Sequence, residues 1–458
     1  MNTIAPRLVA ILMAVAGIYS LAVAADADRI QEATVRAHME FLASDAMNGR
    51  GSGTRDEWIA ATYIAAQMRR EGLEPLGDNG DFVEAVEVDK TEVIGAPLLK
   101  VGALELSHGN EMLITRLRAA SFSGTLQRFH SGSVYASGSI LLMPENPDRA
   151  IPEEARGASL LLYRETPALR EQWALIARRP LLVGRGRIGS IASTPSVAEP
   201  SQIYLSAATY AKLAAIAEAP AVTMNLPTRE SVGHTWNAVA ELPGSDPHER
   251  AQIILLTAHL DHLGVRDSGE DRIYNGADDD ASGCIAVLTL ADALAHGPRL
   301  KRSIVFAWFG SEEAGGYGAD YFVGKPVVPL QSIIANLEFE MIGRPDPAVP
   351  EHTLWLTGWE RSNLGPQLAR HGARLVADPH PEQNFFARSD NIALARRGVV
   401  AQTVSSFGLH ADYHQPSDEI SRIDFRHMTE SIQSMLAPVR WLADSDFQPE
   451  WLPGGRPQ

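Results

Sequence analysis

A single cysteine, Cys284, serves all 458 residues. One thiol closes no internal disulfide, so the chain must fold without covalent stapling. On a helix-like apolar stretch, Cys284 itself reads as a small buried residue. Basic residues are the second shortage. Forty Lys and Arg stand against 56 Asp and Glu, a formal charge of -16, and no basic block occurs anywhere. Nucleic acid and anionic lipid surfaces are therefore not expected as partners. No GxSxG pentapeptide is present, so a serine hydrolase would have no nucleophile elbow. Internal repeats and long low-complexity tracts are missing too.

The first two dozen residues read as an export signal, residues 1–24. Arg7 supplies a positive start, Leu8 to Ser20 is apolar, and Ala22-Val23-Ala24 gives the small-x-small pattern that predicts cleavage before Ala25. The run is short for a membrane span and turns polar at Asp26. No cysteine follows it, which argues against a lipid anchor. The expectation is an exported protein, periplasmic or secreted, free of the membrane once the signal is removed.

With 45% apolar residues the remainder can bury a sizeable core, and its length suggests two or three domains. Residues 33–43 and 55–70 read as helices. The second has Thr54 and Glu57 as a capping box, an apolar stripe of Trp58, Ala61, Ala65 and Met68, and Gly72 as its stop. From about 91 to 228 short β-like runs follow, at Ser139–Met143, Ser159–Tyr163, Leu181–Val183 and Ile203–Leu205, with one helix-like stretch at Thr209–Ala217. After Trp236 the pattern alternates: strand Ile253–Ala258, helix Ser282–Ala295, strand Ser303–Phe309, helix Tyr317–Val323. The predicted architecture is α/β, a mixed sheet flanked by helices and interrupted by a smaller β-rich insert. The boundaries are 25–90 and 229–445 for the main domain, 91–228 for the insert, and 446–458 for a C-terminal tail.

Five potential metal ligands lie in the C-terminal half: His259, Asp278, Glu313, Glu340 and His414. His259 ends an apolar strand, where side chains point into the crevice in which open α/β sheets bind ligands. Asp261, two residues on, is placed to accept the other ring N–H. Gly276-Ala277-Asp278-Asp279-Asp280-Ala281-Ser282-Gly283 sets three carboxylates before a helix. Capping by Asp280 or Ser282 explains one or two of them. Three adjacent like charges repel unless a cation sits among them, so Asp278 is assigned to metal, and one carboxylate can bridge two ions. Glu312 and Glu313 follow the next strand. Adjacent side chains diverge, so one can bind metal while the other takes a proton from water. Glu340 follows the run Ile333–Leu337, and His414 lies in Asp412-Tyr413-His414-Gln415-Pro416-Ser417-Asp418.

In that order these motifs resemble the co-catalytic di-zinc aminopeptidases, the metallopeptidase family that also includes glutamate carboxypeptidases and glutaminyl cyclases. The segments Phe41-Leu42-Ala43-Ser44-Asp45, Gly49-Arg50-Gly51 and Leu73–Asp78 are similar to members with a protease-associated insert. The resemblance implies two Zn²⁺: His259 and Glu340 on one, Glu313 and His414 on the other, Asp278 bridging. It implies Glu312 as general base and acid, Asp261 orienting His259, Tyr413 donating to the oxyanion, and a cis Asp278–Asp279 peptide. Ser389-Asp390 matches a further element of that pattern. Glu340 departs from it, since many members carry Asp before the Met, and this puts the affinity of that metal site in question. The donor set also suits cobalt or manganese. Peptides with a free N-terminus are the implied substrates. The alternatives are a mono-zinc aminoacyltransferase of the glutaminyl cyclase type and a non-catalytic receptor-like ectodomain.

Weaker signals remain. Gly184-Arg185-Gly186-Arg187-Ile188-Gly189 spells GxGxxG without a following helix pattern, and reads as a turn. His234, His352, His371 and His380 read as surface residues. Phe385, Phe386 and Phe407 fit either a specificity pocket or core.

Overall fold

The computed structural model describes residues 29–146, 151–178, 181–184, 186–188, 200–266 and 269–457. The expected export signal lies outside the described residues, as do Arg185 and Gly189 of the glycine-rich run, whose Arg187–Ile188 form a two-residue strand. The chain divides into two compact units, Met1–Val86 with His234–Gln458, and Glu87–Gly233.

In the first unit the apolar runs after Trp236 form the centre of a mixed sheet. Its strands include β1 (Thr228–Leu242), β2 (Ile253–His259), β3 (Ser303–Phe309), β4 (Ile333–Phe339), β5 (Leu354–Leu356), β6 (Leu375–Ala377) and β7 (Ala401–Ser405). Their spatial order is β6-β5-β7-β4-β2-β3-β1. β2 pairs parallel with both β3 and β4, and β4 parallel with β7, while β1–β3 and β5–β7 are antiparallel. Strands β2 and β3 are buried at every residue, as expected of parallel strands covered on both faces. Alternate residues serve the two sides. Ile254, Leu256 and Ala258 join one core cluster, Ile253 and Leu255 the other.

The first cluster takes its helices from both ends of the unit: α1 (Glu32–Leu42), α2 (Arg55–Arg70), α3 (Gly283–Ala295) and α6 (Phe425–Asp444). The second takes α4 (Tyr317–Gly324) and α5 (Asn391–Arg396). Helix α3 is apolar and buried nearly all round, Asp292 being its one charged, partly exposed residue. The stripe of α2 differs from its sequence reading. Trp58 is 47% exposed, and the buried face is Ala60, Ala61, Ile64, Ala65 and Met68 with the charged Glu57 among them. The capping box is not reciprocal either. Thr54 accepts from Asp56 N, while Glu57 reaches back to Gly53 N at 3.1 Å.

The second unit is an eight-stranded sheet centred on Ser121–Arg128, Ile140–Glu145, Leu160–Arg164 and Ser201–Leu205. The expected strand Leu181–Val183 makes only isolated bridges, Leu182 to Glu92 and Val183 to Leu117. A helix the sequence reading omitted spans Pro167–Ala177, and Thr166 Oγ1 caps it by accepting from Leu169 N. Among the described residues no helix is long and apolar enough to cross a membrane.

Candidate metal centre

Strand β2 has parallel neighbours on both sides, so the chain leaves it in opposite directions and opens a crevice at the carboxyl ends. His259 is its last residue. Glu312 and Glu313 follow β3, Glu340 follows β4, and the turn 277–282 leads into α3.

Within that turn the structure corrects the sequence reading: Asp279, not Asp278, enters the crevice. Asp279 Oδ1 lies 3.3 Å from His259 Nε2, and its Oδ2 lies 3.1 Å from His414 Nε2. Asp278 turns the other way. Its Oδ1 accepts from Gly343 N at 2.8 Å and its Oδ2 pairs with His410 Nε2 at 2.9 Å. Asp280 accepts from the amides of His259, Gly283 and Met341, the last two through Oδ1. The cause is local. Asp279 and Asp280 leave helical geometry, with φ/ψ of -105°/97° and -125°/41°, so the three acids project in different directions and each meets its own partners. Of the three, Asp279 is the one that faces the crevice. The cis peptide is likewise Asp279–Asp280, one residue beyond its expected place. Asp418 pins the turn by accepting from the amides of Asp278 and Asp279. Gly276, at φ 60°, is required here, since a Cβ would meet Asp279 O at 2.2 Å and the His262 ring at 2.5 Å.

Two ligand clusters result. Donor atoms of His259, Asp279 and Glu340 lie within 4.8 Å of one another, as do those of His262, Asp279 and Glu313. His414 joins the second, its Nε2 lying 3.0 Å from Glu313 Oε1. His262, to which the sequence reading gave no role, is fully buried with Nδ1 3.0 Å from the same oxygen. A strictly two-residue count from His259 would have turned it away from the site. It lies instead beyond the strand end, where alternation no longer holds.

Asp261 corrects a second expectation. Its carboxylate is 3.7 Å from His259 Nδ1, and the ring instead donates to the Asp261 backbone carbonyl at 3.1 Å. That bond places a proton on Nδ1 and turns Nε2 toward Asp279. The Asp261 carboxylate accepts from Ser52 Oγ, Glu312 N and Glu313 N.

The electrostatics fit a bound cation. Burial pulls the His414 imidazole down, but Asp279 and Glu313 push it up to about 10. His259 behaves alike: burial opposes its charge, yet Asp280, Asp261 and Asp279 hold it well above its usual value. Burial pushes Glu340 up to about 8, and pushes Glu312 well above the carboxylate range. Buried carboxylates in this number need positive charge beside them, and protons on the imidazoles supply it here. His259 Nε2, both His262 nitrogens and Glu313 Oε1 are buried yet make no aligned hydrogen bond despite these short separations. Imidazole and carboxylate donors so disposed suit zinc, and equally cobalt or manganese. Among the described residues the Glu312 carboxylate has no hydrogen-bond partner, and Tyr413, stacked on His414, lines a small cavity with Glu340, Trp355, Phe385, Arg388 and Phe407. Phe386 packs in the core, and His352 is buried, contrary to its surface reading.

Residues 237–439 match Peptidase family M28. That segment is less than half of the chain. Leucine aminopeptidase 2 of Trichophyton rubrum is 29% identical over 231 residues, and the probable leucine aminopeptidase 2 of Trichophyton verrucosum is 34% identical over 231 residues. Each match covers 44% of this chain and 44% of the relative, so the M28 segment spans less than half the length of these curated relatives. Among solved structures, the aminopeptidase from Aneurinibacillus sp. strain AM-1 aligns with a TM-score of 0.61 at 18% identity, covering 92% of this chain and 96% of that one. BSAP, a zinc aminopeptidase from Bacillus subtilis, aligns with a TM-score of 0.55 at 18% identity, covering 92% and 97%. At that identity they establish the α/β fold of mixed sheet and flanking helices.

Proposed function

We infer that this M28 chain is a zinc-dependent aminopeptidase that hydrolyses N-terminal residues from peptides. The observation that carries the reading is Asp279, whose two carboxylate oxygens each face a different histidine. His259, Glu340 and Asp279 would hold one metal, and Glu313, His414 and Asp279 the other, with His262 within reach of the second. When bound, the two ions supply Lewis acidity, polarising the scissile carbonyl and acidifying the attacking water.

The chain's own residues do the rest. Glu312, raised by burial and free of hydrogen bonds, takes the water proton as the oxygen attacks the carbonyl carbon, then delivers it to the leaving nitrogen. Tyr413 Oη, kept protonated by burial and nearby acids, donates to the oxyanion. The acidic surround of Glu312 and Glu340 favours a substrate that brings a cation, as a free N-terminal ammonium does. The second ligand cluster argues for two ions over the single ion of a cyclase-type transferase. Residues 91–228 we read as a protease-associated-like insert, and residues 1–24 as a signal for export.

Metal analysis and hydrolysis of aminoacyl p-nitroanilides, run in parallel on wild type and Glu312→Ala, test the proposal. Two metals per chain and release of free amino acid, with activity down by at least ~10²-fold and metal retained in the variant, are expected. Unchanged activity in Glu312→Ala would mean the base is elsewhere.

A further inference from the structure

Three consecutive amides carry the loop on which Glu312 stands, and two buried carboxylates accept all of them. Asp261 takes Glu312 N at 2.9 Å and Glu313 N at 3.2 Å. Glu57, from α2, takes Ser311 N at 2.7 Å and Ser311 Oγ at 3.2 Å. Its remaining contacts are Thr235 Oγ1 at 3.0 Å and Gly53 N at 3.1 Å. Ser311 holds φ at 56°, the left-handed region that a residue with a side chain enters only when its surroundings insist. Gly310, just before it, presses on the same pair: a Cβ there would lie 2.3 Å from Thr235 Oγ1 and 2.8 Å from Glu57 Oε1.

Packing alone does not call for Glu57. Its neighbours on the buried face of α2 are Ala60, Ala61 and Ile64, and an apolar side chain would fill the space without burying a charge. We propose that Glu57 is a positioning residue for Glu312, fixing the left-handed Ser311 conformation that aims the base into the crevice. This rests on the reading of Glu312 as the base. Glu57 touches no ligand of either cluster, so it acts through Ser311, by its amide and its hydroxyl.

The test compares full-length Glu57→Ala, Glu57→Gln and Glu312→Ala, each loaded with zinc, by metal content, Tm, kcat and KM on an aminoacyl p-nitroanilide. In Glu57→Ala, kcat falls by about 10- to 100-fold, the effect of a misplacement near 1 Å, with KM within about threefold and zinc content as in wild type. Glu57→Gln keeps an acceptor oxygen and loses less. A lowered Tm with wild-type kcat in Glu57→Ala would make Glu57 merely structural and overturn the proposal. An active Glu312→Ala would instead sink the underlying assignment of the base, whatever the Glu57 variants show. Should Glu57→Ala not fold, Glu57→Met carries the test, since it fills the space but accepts from neither Ser311 N nor Ser311 Oγ. Reduced kcat at undiminished Tm supports the proposal, and unchanged kcat refutes it.

Discussion

Replacing Asp278 and Asp279 separately by asparagine gives opposite outcomes if Asp279 is the acid that both clusters share. Asp279→Asn exchanges one of two metal-facing oxygens for an NH₂ group, which opposes a cation instead of binding it. Both clusters share this residue, so zinc affinity falls at both, by well over the ~10–100-fold typical of losing a supporting partner. Asp278→Asn leaves both clusters whole. It weakens the pairing with His410 at 2.9 Å and leaves one acceptor for Gly343 N. Losing a buried charge-assisted hydrogen bond costs about 1–3 kcal/mol, a drop in Tm of about 2–5 °C for a unit of this size. The assay is zinc stoichiometry after dialysis against a graded chelator, with thermal melts of the metal-free proteins alongside. If Asp278→Asn lost its zinc while Asp279→Asn kept two ions, Asp279 would not be the shared ligand, and the sequence-based choice of Asp278 would stand.

Arg50 is fully buried and donates to four backbone carbonyls, those of Leu42, Leu260, Asn275 and Gly276. Arg50→Met is expected to cost about 3–5 kcal/mol, read as a lowered denaturant midpoint at unchanged m-value. An unshifted midpoint would show that these carbonyls find other donors. Burial lowers the pKa of His38 to about 4, from 6.5. The folded state therefore binds fewer protons than the unfolded state between those values, and stability falls as pH drops from about 6.5 to about 4, by about 3 kcal/mol at most. Thermal melts across that range should steepen with His38 and flatten in His38→Gln. An identical slope in the variant would remove His38 as the cause.

The fold was legible where burial is complete. The runs that became β2 and β3 are nearly continuous apolar stretches of strand length, whereas β4 carries Asn336 and Glu338 within it. Pro167–Ala177 was missed because its starting signal, Thr166 before Pro167, also reads as a turn. Residue types at the site were legible too, since acids and histidines at strand ends have few other uses. Which of three adjacent aspartates faces inward was not, because that depends on the dihedral angles at Asp279 and Asp280. Glu57 lay hidden as a capping residue, its real partner Ser311 being 254 positions away.

That separation bears on the order in which the molecule comes together. The first two helices rest on partners that emerge much later, Arg50 on Gly276 at a distance of 226 residues and Glu57 on Ser311 at 254. The intervening unit, Glu87–Gly233, is continuous, and its eight-stranded sheet is built from strands that all lie within that stretch. A chain made from its N-terminus can therefore complete its middle before its beginning. The apolar faces of α1 and α2 have no surface to meet until β2, β3 and α3 exist, and for α1 until α6 does too, and the loop that carries Glu312 can be tied to Glu57 only once Ser311 has been made.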